Sequence, residues 1–538
     1  MIYISYYYLI SLSLLGYGFI LSKILRVNYL NFGFLGLMGA SFLILISYLS
    51  TLFFVHNYTF NLIILLVGIF YFIYFFKKNL KYHLLQHFVV FTILIIFILV
   101  AKNHDDFSYY HYPYSYFLTQ YEHPIGFGHL NNGFRNPSSL FFLNSLFFLP
   151  KVEHYLLNIS PVYFLGFANI ILFNFIFSKK NFKKKKSINF LSLLSLSFVN
   201  VFFYRLGEHG TDKSGQILIF IIVILLIMIL NLNKDYKESN NLFNLTSILS
   251  VVLISLKPFY FIYLPLVFFV FSLKNFKRNF LKIIFSPSIM YSALFIFFII
   301  FFNFLNSGCL IYPASFTCFE NLYWSFPETT IKEVNQWYEL WAKAGATPTY
   351  VVENIPEYIA NFNWIDNWVK NYFFNKVSDF LLGLTLLIII FYGLFIYKTN
   401  KKINSKNLQI KLIYFYLLLC LFEWFLKHPA LRYGGYQLFA ILTFLPLAAK
   451  FNLREINYNL FCKKSWIIIL IVLTIFISRN VNRIIKEHTQ YNFNPFVSTK
   501  YIYHGEEKFY NRYIDYFNHN YDNFKKIKIF GKIFVITK

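Results

Sequence analysis

Apolar runs long enough to cross a lipid bilayer recur along nearly the whole chain. A membrane-spanning helix needs about 20 apolar residues, and segments such as 215–232 (GQILIFIIVILLIMILNL) approach that length without alternating polar and apolar positions. Backbone amides in hydrocarbon must bond within their own segment, so such runs predict helices, whereas a barrel would show short alternating strands. The sequence therefore predicts an all-α integral membrane protein.

Hydropathy and charge together predict a polytopic bundle of about fourteen transmembrane helices, with further helices lying beside the membrane. The predicted spans are 3–22, 32–54, 59–76, 84–101, 155–177, 188–204, 215–232, 242–256, 258–273, 280–303, 378–397, 409–425, 434–449 and 465–478. The weakest point is 242–273, because a single kinked helix there would invert the topology of everything downstream.

The charges separate into two sets of loops. Lys and Arg of short loops stay in the cytoplasm, and with the N-terminus outside, the cytoplasmic loops hold more than half of the 49 basic residues. Of the 23 acidic residues, only Asp235, Glu238 and Glu455 fall on that side. The net charge of +26 is thus mainly a topology signal, with anionic membrane lipids, and no nucleic acid, as partner.

This topology divides the chain into five parts. They are four N-terminal helices (1–101), a core (102–303) with outer loops 102–154 and 205–214, a large extracytoplasmic loop (304–377), C-terminal helices (378–478) and an extracytoplasmic tail (479–538) that ends in the hairpin-like pattern KKIKIFGKIFVITK. A transporter would bury ionisable residues at the membrane midplane. Here they gather at one face, which favours an enzyme acting at the outer interface.

The first outer loop carries the strongest chemical signal. Asp105 and Asp106 are adjacent carboxylates, which can act as a general base or bind a divalent cation such as Mg²⁺ or Mn²⁺ through oxygen. A solvated acidic helix end is the plainer alternative, but Tyr110 and His111 follow directly. Each histidine taken singly is more often hydrogen-bonded than a metal ligand.

The large outer loop contains Cys309 and Cys318, and two thiols in one extracytoplasmic loop suggest a structural disulfide, with free thiols as the alternative. Thr330-x-x-Glu333 has the form of a capping box, and the helix it begins would put Trp337 and Trp341 on one face. Pro356 is expected to open a second helix with Trp364, Trp368 and Tyr372 on one side. These rings either lie at headgroup level or grip a substrate.

The first loop also resembles a known pattern. Residues 105–113 (DDFSYYHYP) and 126–139 (GFGHLNNGFRNPSS) look like the signature of a group of uncharacterised bacterial multispan proteins, D-x-x-x-Y-H-x-P followed by G-L-x-N-L-H-x-R-F-G-x-N-S-S. His129 and Asn132 depart from that pattern, and Phe134-Arg135 invert its order. The group is similar in layout to GT-C glycosyltransferases, multispan enzymes that use polyprenyl-phosphate-linked sugars and carry acids in their first and second outer loops.

The resemblance implies a function and roles for residues. The protein would transfer a sugar from a polyprenyl-phosphate donor to a glycan, lipid or protein acceptor at the outer face of a bacterial cytoplasmic membrane, with Asp105 or Asp106 as base and His111 beside them. Candidates for binding the substrates are Tyr110, Asn131, Arg135, Asn136, Glu208, His209, Asp212, Lys213, Lys257 and Arg432. The alternatives are an O-antigen polymerase or ligase, which rests on Arg and His, and a non-enzymatic lipid or polysaccharide transporter.

Overall fold

The fold is known from a computed structural model. It describes residues 2–27, 31–77, 80–100, 104, 106–232, 236–275, 285–346, 352–396, 408–492, 494–495, 525–529 and 532–536. The side chains of His154 and His209 lie outside this description.

The described chain is almost entirely helical. Its N-terminal half contains α1 Ile2–Ile24, α2 Phe32–Ser50, α3 Tyr58–Phe75, α4 Lys81–Leu94, α5 Tyr112–Gln120, α6 Ser139–Ser145, α7 Ser160–Ile176, α8 Lys179–Lys184, α9 Lys186–Phe202 and α10 Leu206–Asn231. Its C-terminal half contains α11 Tyr236–Leu256, α12 Leu264–Asn275, α13 Pro287–Ser307, α14 Glu328–Lys343, α15 Ile355–Ile359, α16 Ile365–Trp368, α17 Ser378–Leu394, α18 Leu408–Lys427, α19 Gly435–Asn452 and α20 Tyr458–Tyr491.

Short π-helical and 3₁₀-helical segments lie between some of these helices. A π-helical segment, Phe107–His111, precedes α5, and a second one, Val369–Val377, joins α16 to α17. A 3₁₀-helical segment, Pro258–Tyr263, precedes α12. The tail ends in an antiparallel hairpin of β1 Lys525–Ile529 and β2 Lys532–Ile536, as its alternating sequence predicts.

The prediction of a helical multi-pass membrane protein is confirmed. Within the described residues, eight helices are long and apolar enough to cross a membrane: Ile2–Ile24, Phe32–Ser50, Tyr58–Phe75, Gly210–Asn231, Glu238–Leu256, Pro287–Ser307, Ile365–Leu394 and Tyr458–Gln490. Four shorter apolar helices, Lys81–Phe97, Ser160–Ile176, Lys186–Phe202 and Pro258–Leu273, occupy further predicted spans. Helices α18 and α19 occupy the two that remain.

Burial separates central helices from peripheral ones. The most apolar part of α10 is 94% buried, as expected of a helix that is hydrophobic all round. The corresponding part of α3 is 22% buried and that of α20 is 28% buried. Helix α10 therefore lies at the centre of the bundle, whereas α3 and α20 leave most of their apolar surface to lipid.

The chain turns back at Lys257. Helix α11 ends at Leu256, and α12 packs beside both α11 and α10 rather than extending α11. The segment 242–273 is thus two helices, as the topology requires.

Two local predictions in the large loop are wrong. Helix α14 begins at Glu328 after Pro327, two residues before the expected capping box. Pro356 opens only the five-residue α15, and the predicted rings belong to the next helical stretch, with Trp364 at the N-cap of α16. Trp364, Trp368 and Tyr372 do lie on one side there, with the centres of consecutive rings 6.0 and 5.9 Å apart. Proline at the first helical turn was the correct signal, but the chain breaks again at 360–363.

Contacts between loops reproduce the two predicted sets. On one face, the backbone amide of His123 bonds to the carbonyl of Thr51 after α2, and that of Gly126 bonds to the carbonyl of Leu305 near the end of α13. On the opposite face, Lys180 pairs with Glu238 at 2.8 Å. Loops of the predicted outer set therefore meet one another, and so do those of the basic set.

Candidate functional site

One guanidinium group holds together two carboxylates from different loops. Arg432 Nη2 lies 2.6 Å from Asp106 Oδ2, and Arg432 Nε lies 3.0 Å from Asp212 Oδ2. Lys257 Nζ lies 3.3 Å from the other oxygen of Asp212. Two acids and two bases, separated by up to 326 positions in sequence, thus form one alternating cluster.

Each member of this cluster stands at the end of a helix on the same face. Asp106 directly precedes the π-helical segment Phe107–His111, and Asp212 lies in the first turns of α10, after a kink at Gly210. Lys257 occupies the turn between α11 and α12, and Arg432 lies in a short turn before α19. The ends of several helices converge here, so side chains that are distant in sequence meet.

The cluster is partly open to solvent. The side chains of Arg432, Lys257 and Asp106 are 28%, 29% and 25% exposed, whereas that of Asp212 is 7% exposed. Asp106 and the two bases can therefore meet a substrate without rearrangement of the helices. The buried Asp212 pairs with Arg432 and helps to hold its guanidinium in place.

The electrostatics of the cluster keep Asp106 ionised. Burial alone would raise the pKa of the Asp106 carboxyl, but the charge of Arg432 and the hydrogen bond from it outweigh burial and hold that pKa well below its usual range. His104 Nδ1 also accepts the backbone amide of Asp106 at 3.1 Å. Asp106 is thus an ionised carboxylate paired with Arg432, and not a protonated acid ready to donate.

The neighbouring His111 is neutral. Burial lowers the pKa of its imidazole to about 3, although Asp106 acts in the opposite direction. Its Nε2 is buried and has no hydrogen-bond partner. Tyr110 is near the same charges, and burial together with the Asp106 charge raises the pKa of its phenol.

Aromatic rings form a wall beside Arg432. The guanidinium carbon lies 5.4 Å from the centre of the Trp341 ring and 5.6 Å from that of Tyr433. Both distances are within the range of cation–π attraction. Helix α14 of the large loop therefore contributes directly to the site through Trp341, while Trp337 on the same helix is 49% exposed.

A small recess lies beside His111. Its lining includes His111, Asn144, Glu208 and Thr211. Residues of the first outer loop and of the start of α10 therefore line it together.

Glu208 belongs to a second ionic group. It is 3% exposed, accepts from Arg205 Nε at 2.9 Å and also pairs with Arg483 of α20. Lys213 lies near this group, with its ammonium 5.7 Å from the ring centre of Phe203. Glu208 is thus held by two guanidinium groups, which suits a structural role better than a catalytic one.

The stretch after Gly126, which carries part of the resemblance described above, makes another contact. Arg135 Nη1 donates to the Tyr312 hydroxyl at 3.0 Å, and its guanidinium carbon lies 3.9 Å from the Phe326 ring centre. Asn136 donates to the carbonyl of Tyr312 at 3.3 Å. These two candidates join the first loop to the large loop.

Asn131 turns inward on its own loop, donating to the carbonyl of Tyr109 at 3.1 Å and accepting the amide of Gly133. Cys309 and Cys318 are joined by a disulfide that closes a short hairpin after α13. Asp105 and the side chain of His209 lie outside the described residues.

The divalent-cation site predicted at Asp105 and Asp106 includes Asp105, which lies outside the described residues. Within the described part of the chain, no three His, Cys, Asp or Glu side chains form a group that could hold a metal ion. Asp106 Oδ2 accepts a hydrogen bond from Arg432. The cation that contacts this carboxylate there is a guanidinium, and the divalent-cation site stays a prediction.

The sequence reasoning missed Trp341 and Tyr433 as neighbours of Arg432, and Arg483 as a partner of Glu208. The position of Tyr433 directly after Arg432 was a usable signal. Arg483 and Glu487, spaced four residues apart at the end of α20, also form a contact of 4.0 Å. Neither spacing shows which distant loop the side chain will meet.

Comparison with known proteins gives one match. The sequence profile of the family described as "Domain of unknown function (DUF8201)" matches residues 1–440. No curated protein and no solved structure matches the chain.

Proposed function

The chain belongs to the DUF8201 family, and we propose that it is a membrane glycosyltransferase that moves a sugar from a polyprenyl-phosphate donor to a cell-envelope acceptor. The reaction takes place at the extracytoplasmic face of a bacterial cytoplasmic membrane. The observation that carries the proposal is the cluster of Asp106, Asp212, Arg432 and Lys257, in which acids of two separate loops, both predicted to be outside, meet two cations.

The cations suit the leaving phosphate. An arginine fork binds phosphate with two parallel hydrogen bonds, and a lysine adds a second positive charge. Arg432 and Lys257 are each more than a quarter exposed. A phosphate headgroup that enters from the bilayer surface can reach both of them, with the Trp341 ring closing one side.

The carboxylate Asp106 suits the role of base. The acceptor hydroxyl oxygen attacks the anomeric carbon, the bond from that carbon to the phosphate oxygen breaks, and polyprenyl phosphate leaves with the electron pair. The acceptor proton passes to Asp106, which must lie within hydrogen-bond reach of the hydroxyl. Inversion at the sugar carbon follows from attack opposite the leaving group.

Arg432 couples the two events. Arg432 Nη2 lies 2.6 Å from Asp106 Oδ2 and thereby lowers the basicity of that carboxylate. When a donor phosphate takes over the guanidinium, the principal cause of the lowered pKa weakens and Asp106 becomes a better base. Donor binding therefore prepares the base before the acceptor reacts.

The proposal is tested with purified protein and polyprenyl-phosphate sugars. General-base catalysis contributes about 10²–10⁴-fold, so Asp106→Asn should lose transfer by roughly that factor. Asp366→Asn is the matched control, because Asp366 is an exposed carboxylate of the large loop. Asp105→Asn forms a parallel arm: loss there with full activity in Asp106→Asn moves the base to Asp105. Full activity in both variants refutes the assignment of the base to this pair.

A further inference from the structure

A small hairpin directly after α13 is closed on itself. Cys309 and Cys318 form a disulfide, the amide of Leu310 bonds to the carbonyl of Thr317 at 3.1 Å, and that of Phe319 bonds to the carbonyl of Gly308 at 3.0 Å. The Cys309–Cys318 hairpin is therefore a compact element that is held together by its own disulfide and backbone hydrogen bonds.

The outward side of this hairpin is apolar. Phe316 is 90% exposed, and Ile311 and Phe319 are about half exposed, at 48% and 51%. Residues 309–319 contain no charged side chain. Exposed apolar groups that cluster in this way mark a surface for a membrane or another molecule.

The hairpin continues the lipid-facing side of α13. Met290, Leu294 and Phe297 of that helix are 59%, 45% and 56% exposed and recur at helical spacing, so in a membrane they face lipid. Phe304, in the last turn of the same helix, contacts Phe319 edge-on, with ring centres 5.8 Å apart. One apolar surface thus runs from the spanning helix onto the hairpin.

The other side of the hairpin contacts the first outer loop. Tyr312 is buried there and receives the side chains of Arg135 and Asn136. The same loop contains Asp106. A hairpin held by lipid on one side would therefore fix the large loop, and with it Trp341, against the site.

We propose that the Cys309–Cys318 hairpin inserts Phe316, Ile311 and Phe319 into the interfacial layer of the bilayer in which the protein resides. Lipid is the occupant because the surface is free of charge and continuous with a lipid-facing helix. The α13 end of this apolar surface faces lipid in a membrane-spanning helix, so lipid can cover the hairpin end as well. A protein partner would have to bind beside lipid that already covers the α13 end.

The experiment uses the full-length native protein in vesicles of phosphatidylethanolamine and phosphatidylglycerol that contain a phospholipid with a diazirine in its acyl chain. After illumination, peptide mass spectrometry locates the lipid adducts. We expect adducts on residues 310–319 with a yield similar to those on the Phe297 stretch of α13. Thr329 and Glu333 on the exposed side of α14 are internal controls and should carry none.

A pair of variants tests the aromatic tip. Phe316→Leu should keep the adducts on the hairpin and Phe316→Ser should lose most of them, with an intact disulfide checked by thiol labelling in both variants. Adducts on α13 without adducts on 310–319 in the native protein would overturn the proposal, and would leave a protein partner or water as the neighbour. Because no sugar is involved, the outcome does not depend on the proposed enzymatic activity.

Discussion

Removing the charge of Arg432 should destabilise the protein because it leaves carboxylates without their partner. Deleting one member of a buried ion pair costs about 3–5 kcal/mol. The side chains of Arg432 and Asp106 keep 28% and 25% of their surface exposed, and exposure screens such pairs, so we expect about 2–3 kcal/mol for Arg432→Gln. Asp212 keeps Lys257 at 3.3 Å, so most of this cost falls on Asp106.

The destabilisation should depend on pH in a defined direction. The folded-state pKa of Asp106 lies below its unfolded value of about 3.9. The pair therefore stabilises the fold above that value, and its contribution is lost as the pH falls through the folded-state pKa. In Arg432→Gln, burial is left as the main influence and raises the pKa of Asp106. The difference in stability between native protein and variant should be largest near neutral pH. It should begin to narrow above about pH 3.9, as the pH falls through the raised pKa of Asp106 in the variant, and should continue to narrow toward the lower folded-state pKa of the native protein.

The assay is denaturation of detergent-solubilised protein across pH. Lys332→Gln is the matched control, because its pair with Glu328 is 59% and 49% exposed and exposed pairs contribute about 0–1 kcal/mol. The double variant Arg432→Gln/Asp106→Asn removes the unpaired charge, so it should be more stable than Arg432→Gln alone. A double variant that is less stable than the single one, or a difference independent of pH, would refute the reasoning.

Three further predictions concern other parts of the site and fold. Trp341→Leu removes the ring beside Arg432, so it should lower stability by about 0.5–2 kcal/mol, the range of a cation–π contact, while Trp337→Leu should leave the denaturation midpoint unchanged. Gly128→Ala should lower stability by about 1–3 kcal/mol through overpacking, because a Cβ there would lie 2.4 Å from the Asn306 carbonyl oxygen; an unchanged denaturation midpoint would contradict this. Asn61→Leu should cost roughly 2 kcal/mol or more by leaving buried carbonyls unsatisfied, since Asn61 Nδ2 lies within 2.7–2.9 Å of three of them.

Helix positions could be predicted because they depend on local composition. A run such as 215–232 is apolar whatever surrounds it, and it became the buried part of α10. The break at Lys257 could also be anticipated, since proline follows it and removes a backbone donor. The exact start of α14 could not be predicted, because the local sequence allows a helix to begin at Glu328 as well as after Thr330.

The site itself was predictable only in part. Asp106, Asp212, Lys257 and Arg432 were all named from their loops and charges, and the structure brings them together. Their pairing was not predictable, since no local pattern relates position 106 to position 432. Arg135 shows the converse: its motif looks functional, yet its guanidinium contacts Tyr312 and Phe326 of the large loop instead.

Helix α20 has a consequence for how the polypeptide can be shortened. With 34 residues it is about 51 Å long at 1.5 Å per residue, well beyond the roughly 30 Å of bilayer hydrocarbon. The C-terminal part of α20 supplies Arg483, which forms an ion pair with Glu208. Expression fragments trimmed to the DUF8201 match at position 440 would discard this brace and leave Arg205 as the sole remaining cation among the described contacts of Glu208. A C-terminal extension that looks dispensable by homology therefore acts as a strut for the second acidic loop.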